Sequence, residues 1–170
     1  MKHIKLTQGQ VAIVDDEDYE WLNQWKWCAS YNPKRSVYVA VRKFQAKNGK
    51  RKTLLMSRII LGLKVGDKRQ ADHINHDTLD NRRANLRICT HAENQHNQRA
   101  HRFHNGKPCL SQYHGVSWHK AAKKWHARIR NNGKRIYLGC FTSEIAAAQR
   151  YNKAATELFG EFACVNKLRG

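Results

Sequence analysis

The stretch that decides the fold reads DHINHDTLDNRRANLRICTHAENQHN and covers residues 72–97. It begins at the end of a short strand, RQADHI, passes through the polar loop HDTLDNRRAN and enters a second strand, LRICT. Thr90 and Glu93 then form a T-x-x-E capping box, which predicts a helix running through Asn94 and Asn97. The pattern therefore predicts two strands and a helix, with the end of the first strand held against the first helical turns.

This stretch resembles the HNH endonucleases, with their ββα-metal fold, and especially the homing endonucleases of phages and their introns. The resemblance rests on the Asp-His pair at 72–73, the D-N-R-x-x-N-L-R loop and the helix with N-x-x-N spacing. It implies that Asp72 and Asn94 are ligands of a divalent metal, most simply Mg²⁺, with Mn²⁺ as the alternative. It also implies that His73 is the general base and that Asn85 fixes the orientation of His73.

The residue types suit phosphodiester hydrolysis. An imidazole that titrates near neutrality can take a proton from water. One carboxylate and one amide oxygen are hard ligands that leave Mg²⁺ open positions for phosphate and water. Each residue also has a structural interpretation, since His73 could be a hydrogen-bonded core histidine and Asn94 an exposed helix residue.

Charged residues around this stretch are candidates for DNA contact. Four arginines, Arg82, Arg83, Arg87 and Arg99, are predicted to touch phosphates, with a solvated surface as the alternative. One departure from the family is Ser57, which stands where many relatives have a histidine before the arginine. The leader at 6–19, LTQGQVAIVDDEDY, also resembles that of the family.

The block before this stretch, residues 1–65, reads as a basic region of short strands. Strands at 36–44 and 51–60 flank an Asn48-Gly49 turn signal and predict a hairpin. A short helix is expected in DDEDYEWLNQWKW at 15–27, with its acids at the start, where the helix dipole favours them. The three tryptophans in that segment are predicted to pack in the core rather than stack on bases.

A third block, residues 111–168, follows a polar linker at 101–110. Strands are predicted in GVSWH, KWHARIRN and KRIYLGCF, and a helix between an N-cap at Ser143 and Gly160. The block resembles the APETALA2-type (ethylene-response-factor) DNA-binding domain in its Y-x-G-V and L-G-x-F motifs, its central Trp125 and its alanine-rich helix. The resemblance implies a three-stranded antiparallel sheet that enters the major groove, with a helix packed behind it.

Residues on the strands of this block are the candidate DNA contacts. They are His114, Trp118, His119, Trp125, Arg128, Arg130, Arg135 and Tyr137. Simple alternation places Trp125 with Ala127 and Ile129, away from Arg128, although the family uses Trp125 on DNA. A bulge or strong twist is therefore expected. The alternative is that Trp125 and Tyr137 belong to the core while the arginines only neutralise phosphate.

The charge of the chain indicates a polyanionic partner. It has 32 Lys+Arg against 13 Asp+Glu, and 94–143 contains ten Lys/Arg, six His and no acid. Double-stranded DNA is the predicted partner. No apolar run reaches the roughly 18 residues of a membrane span, and the polar N-terminus argues against secretion. The five cysteines contain no C-x-x-C pair, so we expect reduced, mostly buried thiols in a cytoplasmic setting, in a bacterial or phage-infected cell.

The expected class is α+β, with a basic N-terminal region (1–65), a nuclease core (66–100), a linker (101–110) and a DNA-binding module (111–168). The leading hypothesis is a site-specific, metal-dependent homing-type endonuclease that nicks one strand per active site and acts as a monomer on DNA or a weak dimer. One alternative is a DNA-binding transcription regulator with an inactive nuclease fold. A basic RNA-binding protein is another, supported by charge alone.

Overall fold

The computed structural model describes residues 1–33, 35–45, 49–97, 103–104 and 107–168, with the backbone alone at 103–104 and 107–108. The chain forms two compact units, Met1–His91 and Ala92–Gly170. Each mixes short antiparallel strands with a few helices, which agrees with the expected mixture of α and β structure.

The described part of the first unit contains three small antiparallel sheets. The first pairs β1 (Lys2–Lys5) with β2 (Val11–Val14). The second contains β3 (Cys28–Asn32), β4 (Val37–Gln45) and β5 (Arg51–Leu55). The third pairs β6 (Gln70–His73) with β7 (Leu86–Cys89). The predicted hairpin at 36–60 is therefore present, although Asn48 of its turn signal lies outside the described residues.

Two helices of this unit differ in extent from the sequence-based expectation. Helix α1 covers Asp16–Leu22, so it ends before Trp25 and Trp27. Helix α2 covers Met56–Ile60, where a strand was expected, and that part of the prediction is wrong. The physical reason is that Met56, Ser57 and Ile60 all become buried, at the spacing of one helical face.

The core of the first unit gathers apolar side chains from all three sheets and both helices. Trp27 is 1% exposed and donates its indole N–H to the Leu22 carbonyl at 2.9 Å, so its predicted place in the core is confirmed. Trp21 packs against the same core. Trp25 differs, because it is 38% exposed and carries the Arg42 guanidinium over its ring at 4.1 Å.

The second unit is built on a three-stranded antiparallel sheet with one long helix. The sheet runs in the order β10 (Val116–His119), β11 (Lys124–Asn131) and β12 (Lys134–Phe141), followed by α4 (Glu144–Phe159). The three predicted strands and the helix are thus confirmed. Helix α3 (His91–His96) begins at the boundary of the units, and the segment predicted as a linker holds a two-residue ladder of β8 (Phe103–His104) with β9 (Lys107–Pro108).

Small side chains let α4 lie close to the sheet. Ala147, Ala148 and Ala127 are fully buried in one cluster, and Tyr151 belongs to a second cluster beside it. The Ser143 hydroxyl accepts the Ala146 N–H at 3.4 Å, as expected of an N-cap. Leu158, predicted on the apolar face, is 42% exposed.

Two further expectations concern the whole chain. The five cysteines are free thiols, but the expectation that they are mostly buried is wrong, since Cys89 alone among them is buried and Cys109 and Cys140 are exposed. Among the described residues, no helix combines the length and the apolar character that a membrane span requires.

Candidate functional site

Asp72 and His73 are the last two residues of β6, as the sequence predicted. Opposite them on β7 lie Arg87 and Leu86, respectively. Arg87 donates from Nε at 2.9 Å and lies with Nη2 at 2.8 Å from the same oxygen, Oδ2 of Asp72. Both side chains are nearly buried, with 10% of Arg87 and 7% of Asp72 exposed. The β6–β7 pair therefore holds the Asp72 carboxylate in one place through a cross-strand ion pair.

His73 lies largely buried beside this pair. Burial lowers the pKa of its imidazole below the ordinary 6.5, because the cation loses hydration, while the Asn81 contact and the nearby Asp72 carboxylate partly oppose that shift. The Nε2 atom of His73 lies 3.4 Å from Oδ1 of Asn81. A lowered pKa keeps the ring neutral at pH 7, which is the state that can accept a proton.

The loop between the strands is closed by Asn85. Its Nδ2 donates to the Asp80 carbonyl at 2.7 Å, and its Oδ1 accepts the Asn75 N–H at 2.9 Å. The side-chain amide that contacts the His73 ring is that of Asn81. The two Asn85 hydrogen bonds stabilise the loop and do not reach the imidazole. A direct contact by which Asn85 orients His73 stays a prediction.

The N-terminal strand β2 forms backbone hydrogen bonds with the same loop. Ile13 forms an isolated parallel bridge to Asp80, with its N–H donating to the Leu79 carbonyl at 2.9 Å. The Asn81 N–H donates in return to the Ile13 carbonyl at 2.8 Å. Backbone bonds of this kind fix the positions of Asp80 and Asn81 independently of their side chains.

The loop arginines predicted on phosphate have carboxylate partners within the chain. Arg82 donates from Nε and Nη2 to the two oxygens of Asp80, each at 2.7 Å. Arg83 likewise donates to both oxygens of Asp18, at 2.8 Å and 2.7 Å, and Asp18 is 1% exposed. Contact with phosphate stays a prediction for these arginines and for Arg87, and Arg99 lies outside the described residues.

Asn94, the predicted second metal ligand, lies on α3 and is half-buried. The helix begins directly after Thr90, as the capping box predicted. The role of Asn94 as a metal ligand stays a prediction.

Ser57, which replaces the family histidine, is buried on α2, and its carbonyl accepts the Leu61 N–H at 3.2 Å. The adjacent Arg58 donates to the carbonyls of Lys64, Asp67 and Arg69 at 3.2, 3.0 and 2.6 Å. These bonds organise the segment that leads into β6. Arg58 thus helps to position β6, the strand that carries Asp72.

The donor set fits a sparsely coordinated hard cation. Within the part of the chain that the structure describes, no group of three or more His, Cys, Asp or Glu side chains is arranged to hold a metal. A closed zinc site of Cys and His is therefore absent from those residues. One carboxylate, Asp72, with amide and water oxygens is the kind of set by which Mg²⁺ is held when substrate phosphate completes its shell.

The sheet of the second unit has one face away from α4, which we call the open face. Its residues include His119, His126, Arg128, Tyr137 and Cys140, linked by contacts. The His119 and His126 rings stack at 4.3 Å, Arg128 Nη2 lies 3.0 Å from Nδ1 of His126, and the Tyr137 hydroxyl lies 2.8 Å from Sγ of Cys140. Arg130 and Arg135 pair across the same strands, and both are exposed.

A β-bulge sets which residues share the open face. The register shifts between Ala127 and Arg128, whose partners are Gly139 and Tyr137, so Leu138 is the extra residue and packs against the core. A bulge, one of the two irregularities expected, is present, but Trp125, whose use in the family was the reason to expect it, packs against the core cluster. The bulge keeps Arg128 and Tyr137 on one face, with Tyr137 54% exposed.

The other three candidate contacts lie in packed surroundings. Trp125 packs against the core cluster behind the sheet and meets its cross-strand partner Trp118 edge to face at 5.1 Å. His114 stacks on Tyr151 at 5.1 Å, and its N–H donates to Oδ1 of Asn166 at 2.6 Å. Their predicted DNA contacts stay predictions. The packing of Trp125 agrees with the alternative that the sequence offered, whereas Tyr137, which the same alternative placed in the core, is exposed.

Sequence reasoning missed several residues of both regions. The contact of Asn81 with His73 depends on pairing between β2 and a loop more than 60 residues away, which no local pattern reveals. His126 could have been found, since alternation places it on the same side as Arg128. The Arg87–Asp72 pair follows from strand register alone.

Two parts of the chain are similar to known proteins. The family model for HNH endonucleases matches residues 57–96. An uncharacterized HNH endonuclease of Acanthamoeba polyphaga mimivirus is 32% identical over 110 residues, or 65% of this chain and 54% of the relative. The C-terminal region matches an AP2-like ethylene-responsive transcription factor of Arabidopsis thaliana, 38% identical over 35% of this chain and 12% of the relative.

An APETALA2-like protein of Oryza sativa subsp. indica is 39% identical over 33% of this chain and 13% of the relative. The chain thus spans about half the length of the viral relative and about an eighth of the plant proteins. Its residues 57–96 are thus similar to HNH endonucleases, and its C-terminal region is similar to AP2-type proteins.

Proposed function

We propose that this chain is a site-specific, divalent-metal-dependent endonuclease that hydrolyses phosphodiester bonds of double-stranded DNA, in the manner of homing enzymes. The observation that carries the proposal is the adjacent Asp72 and His73 at the end of β6, inside the region that matches HNH endonucleases. A carboxylate held by an ion pair and a neutral imidazole beside it are the two groups that metal-assisted hydrolysis requires.

In this proposal His73 accepts a proton from the attacking water, and Asp72 anchors the cation with Asn94 as the second ligand. When bound there, Mg²⁺, or Mn²⁺ in its place, stabilises the charge that gathers on the phosphoryl group and the departing 3′ oxygen. Asn85 and Asp80 keep the loop beside His73 in shape. Arg87 keeps the Asp72 carboxylate in position, since its Nε and Nη2 lie 2.9 and 2.8 Å from Oδ2.

Two separate basic regions are proposed to bind DNA. From Trp21 to Gly66 the sequence has eleven Lys/Arg and no acid, with exposed members on β4 and β5. The open face of the C-terminal sheet supplies Arg128, Arg130 and Arg135. Arg130 and Arg135 lie directly opposite each other, and like charges so placed repel unless an anion lies between them. A rare target site needs more than one such module, since a single one buries roughly 600–1,000 Å².

One Asp72-His73 pair per chain implies one strand cut per chain. We therefore propose that a monomer on DNA produces a nick and that a double-strand break requires two chains, as a weak dimer or in succession. The proposed setting is the cytoplasm of a bacterial or phage-infected cell.

The test uses purified full-length chain and a pool of supercoiled plasmids with random inserts, in EDTA, Mg²⁺ or Mn²⁺. We expect metal-dependent open-circular product. His73→Ala should abolish cleavage while DNA binding in a gel-shift assay persists. The matched control is His3→Ala, which removes an exposed imidazole on β1 and should leave cleavage unchanged.

A second candidate function is supported by two observations. One matched relative is named a transcription factor, and Asp72 is engaged by Arg87, as in a purely structural ion pair. Tight DNA binding without cleavage in any divalent metal would favour this DNA-binding regulator. Preference for folded RNA over duplex DNA would contradict both candidates and favour an RNA-binding protein.

A further inference from the structure

The first unit contains a cavity whose lining shares no residue with the proposed catalytic site. Its volume is about 390 Å³, and it is lined by β1, by the end of α1 and by the segment 23–27 that joins α1 to β3. Among the described residues that line it, none belongs to β6, β7 or the loop between them. The volume lies near the lower end of the range for ligand pockets, ~300–1,000 Å³, so the cavity suits one small unit of a ligand.

Trp25 is the exposed aromatic residue of this cavity. Trp27, which also lines it, is 1% exposed, and the half-buried Tyr19 ring has the Lys2 ammonium over it at 4.6 Å. Trp25 is 38% exposed. A large part of an indole ring is thus accessible to a ligand in the cavity.

Contacts from two elements hold the Trp25 ring in place. The Arg42 guanidinium on β4 lies over the ring at 4.1 Å, and the Trp21 ring meets it edge to face at 6.1 Å. Trp21 is itself anchored, because its indole N–H donates to Oδ1 of the buried Asp18 at 3.1 Å. A ring held in this way loses little conformational freedom when a base stacks on it, which favours binding.

Polar and basic side chains complete the lining of the cavity. Asn23 and Gln24 are exposed, and their amides offer donors and acceptors to the edge of a nucleobase. Lys5 and Lys26 are exposed as well and supply two ammonium groups, which attract a phosphate. The described residues that line the cavity include no acid.

The acids of α1 oppose this positive charge only weakly. Each of the three exposed ones, Asp16, Glu17 and Glu20, lies within 2.9 Å of a cation of the same unit. Because each of these pairs is close to neutral, the two lysines determine the sign of the charge at the cavity.

The combination of an exposed aromatic ring, amides and ammonium groups is the one with which proteins hold an unpaired nucleotide. A base inside a duplex has both faces covered by its neighbours in the stack, so it cannot stack on Trp25. An inorganic phosphate would use the lysines alone. The lining therefore favours a nucleotide whose base is unpaired.

We propose that this cavity, which we call the nucleotide cavity, binds one unpaired nucleotide of single-stranded DNA. The base stacks on Trp25, and its polar edge meets the amides of Asn23 and Gln24. The phosphate lies by the ammonium groups of Lys5 and Lys26. The inference goes beyond the proposed function, because binding of the nucleotide requires neither metal nor cleavage. For a nicking enzyme, such a nucleotide is available where the cut strand frays.

The primary test is a titration of the full chain, without metal, with a 5′-phosphorylated thymidine dinucleotide (pTpT). The five tryptophans give five indole N–H signals in ¹H–¹⁵N spectra, and the spectrum of Trp25→Phe identifies the signal of Trp25. We expect pTpT to shift the Trp25 proton upfield, because a stacked base shields it. The indole signal of Trp118, in the second unit, should stay in place.

Variants of the ring supply the second readout, with binding followed by the backbone amide signals of 23–27. Trp25→Leu should weaken binding of pTpT by about tenfold, a typical loss for one stacked base, and Trp25→Phe should weaken it less. Tyr31→Leu is the matched control, because Tyr31 is 50% exposed and does not line the cavity. It should leave binding unchanged.

The salt dependence of binding tests the phosphate contact. For a short oligothymidylate, Lys5→Gln combined with Lys26→Gln should lower the slope of log affinity against log salt by about 0.7, the value for one phosphate contact on a single strand. Lys68→Gln combined with Lys153→Gln removes the same charge from two exposed positions outside the cavity and should leave the slope unchanged.

An unchanged Trp25 signal at every concentration of pTpT would overturn the inference. Equal binding of 2-deoxyribose 5-phosphate, which has no base, would overturn it too, as would an equal Trp25 shift with a blunt duplex. A chain that binds pTpT in the cavity but cleaves no DNA in any metal would instead overturn the proposed function and leave this inference intact. Unfolding of Trp25→Leu would be visible in the same spectra, and the wild-type and Trp25→Phe measurements would then decide.

Discussion

Gly115 allows α4 to pack against the sheet of the C-terminal unit, and replacing it with alanine should be severely destabilising. Its φ is +74°, and an added Cβ would lie 2.1 and 2.3 Å from Cδ2 and Cε2 of Tyr151. It would also lie 2.6 Å from the carbonyl oxygen of Arg128, whose own N–H donates to the Gly115 carbonyl at 2.8 Å. Neither neighbour can retreat easily, since Tyr151 is 4% exposed and the Arg128 oxygen is backbone.

The magnitude has two parts. The left-handed backbone at Gly115 costs an alanine about 1 kcal/mol. Overpacking of a close-packed site adds about 2 kcal/mol, within the usual range for inserted methyl groups. Gly133→Ala is the matched control, because Gly133 has φ +77° and no atom within 4 Å of the added Cβ. Gly133→Ala should therefore lose only the stability that the left-handed backbone costs, without the contribution from overpacking.

Native-state hydrogen exchange in the full chain measures this difference where it arises. Amides of β11 and α4 should exchange about 30-fold faster in Gly115→Ala than in Gly133→Ala, which corresponds to about 2 kcal/mol of opening free energy. Amides of the first unit should be unaffected in both variants. Equal protection of β11 in the two variants would refute the argument that the contact with Tyr151 is tight.

Two further predictions concern charged groups. Arg83→Ala should destabilise the first unit by about 2 kcal/mol in urea denaturation, because the substitution leaves the Asp18 carboxylate buried without its guanidinium partner. The value is lower than that for a fully buried pair, since Arg83 is 49% exposed. An unchanged urea midpoint would show that water replaces Arg83. Burial, together with the nearby His119 and Arg128 charges, lowers the pKa of His126 below 6.5. A bound phosphate would raise this pKa again. His126 therefore takes up a proton when DNA binds. DNA affinity, measured by fluorescence anisotropy, should therefore rise as the pH falls through and below 6.5, by at most about tenfold per pH unit, and His126→Gln should remove this dependence.

The C-terminal unit was predictable because its signals are local. Alternating strands, the Asn132-Gly133 turn and the Ser143 cap each act within a few residues, and β10, β11, β12 and α4 follow them closely. A bulge or strong twist was expected from the conflict between simple alternation and the family use of Trp125; a bulge is present at Ala127, but Trp125 packs against the core. What alternation alone could not show is which side chains of the open face touch each other.

Segments whose structure depends on distant contacts were harder to predict. The run at 56–60 is apolar and short, so its sequence suits a buried strand or a buried helix equally, and packing of Met56 and Ile60 into the core selects the helix. At the candidate site, the strand end with Asp72 and His73 was predicted. The contact of Asn81 with His73 was not, since Asn81 is brought there by pairing with Ile13.

The N-terminal acids illustrate how one segment serves both the fold and the proposed DNA contact. Asp15 accepts the Arg83 N–H at 2.7 Å, and Asp18 binds the Arg83 guanidinium, so the acidic start of α1 fastens the loop that precedes β7. Glu20 binds Lys2, and Asp16 binds the N-terminal amine. Asp16, Asp18 and Glu20 are thus paired with cations of their own unit, while Asp15 accepts a neutral backbone N–H. Because these acids are already engaged, they oppose an approaching phosphate backbone less than the sequence suggests, and the acid-free stretch from Trp21 to Gly66 is left to attract it.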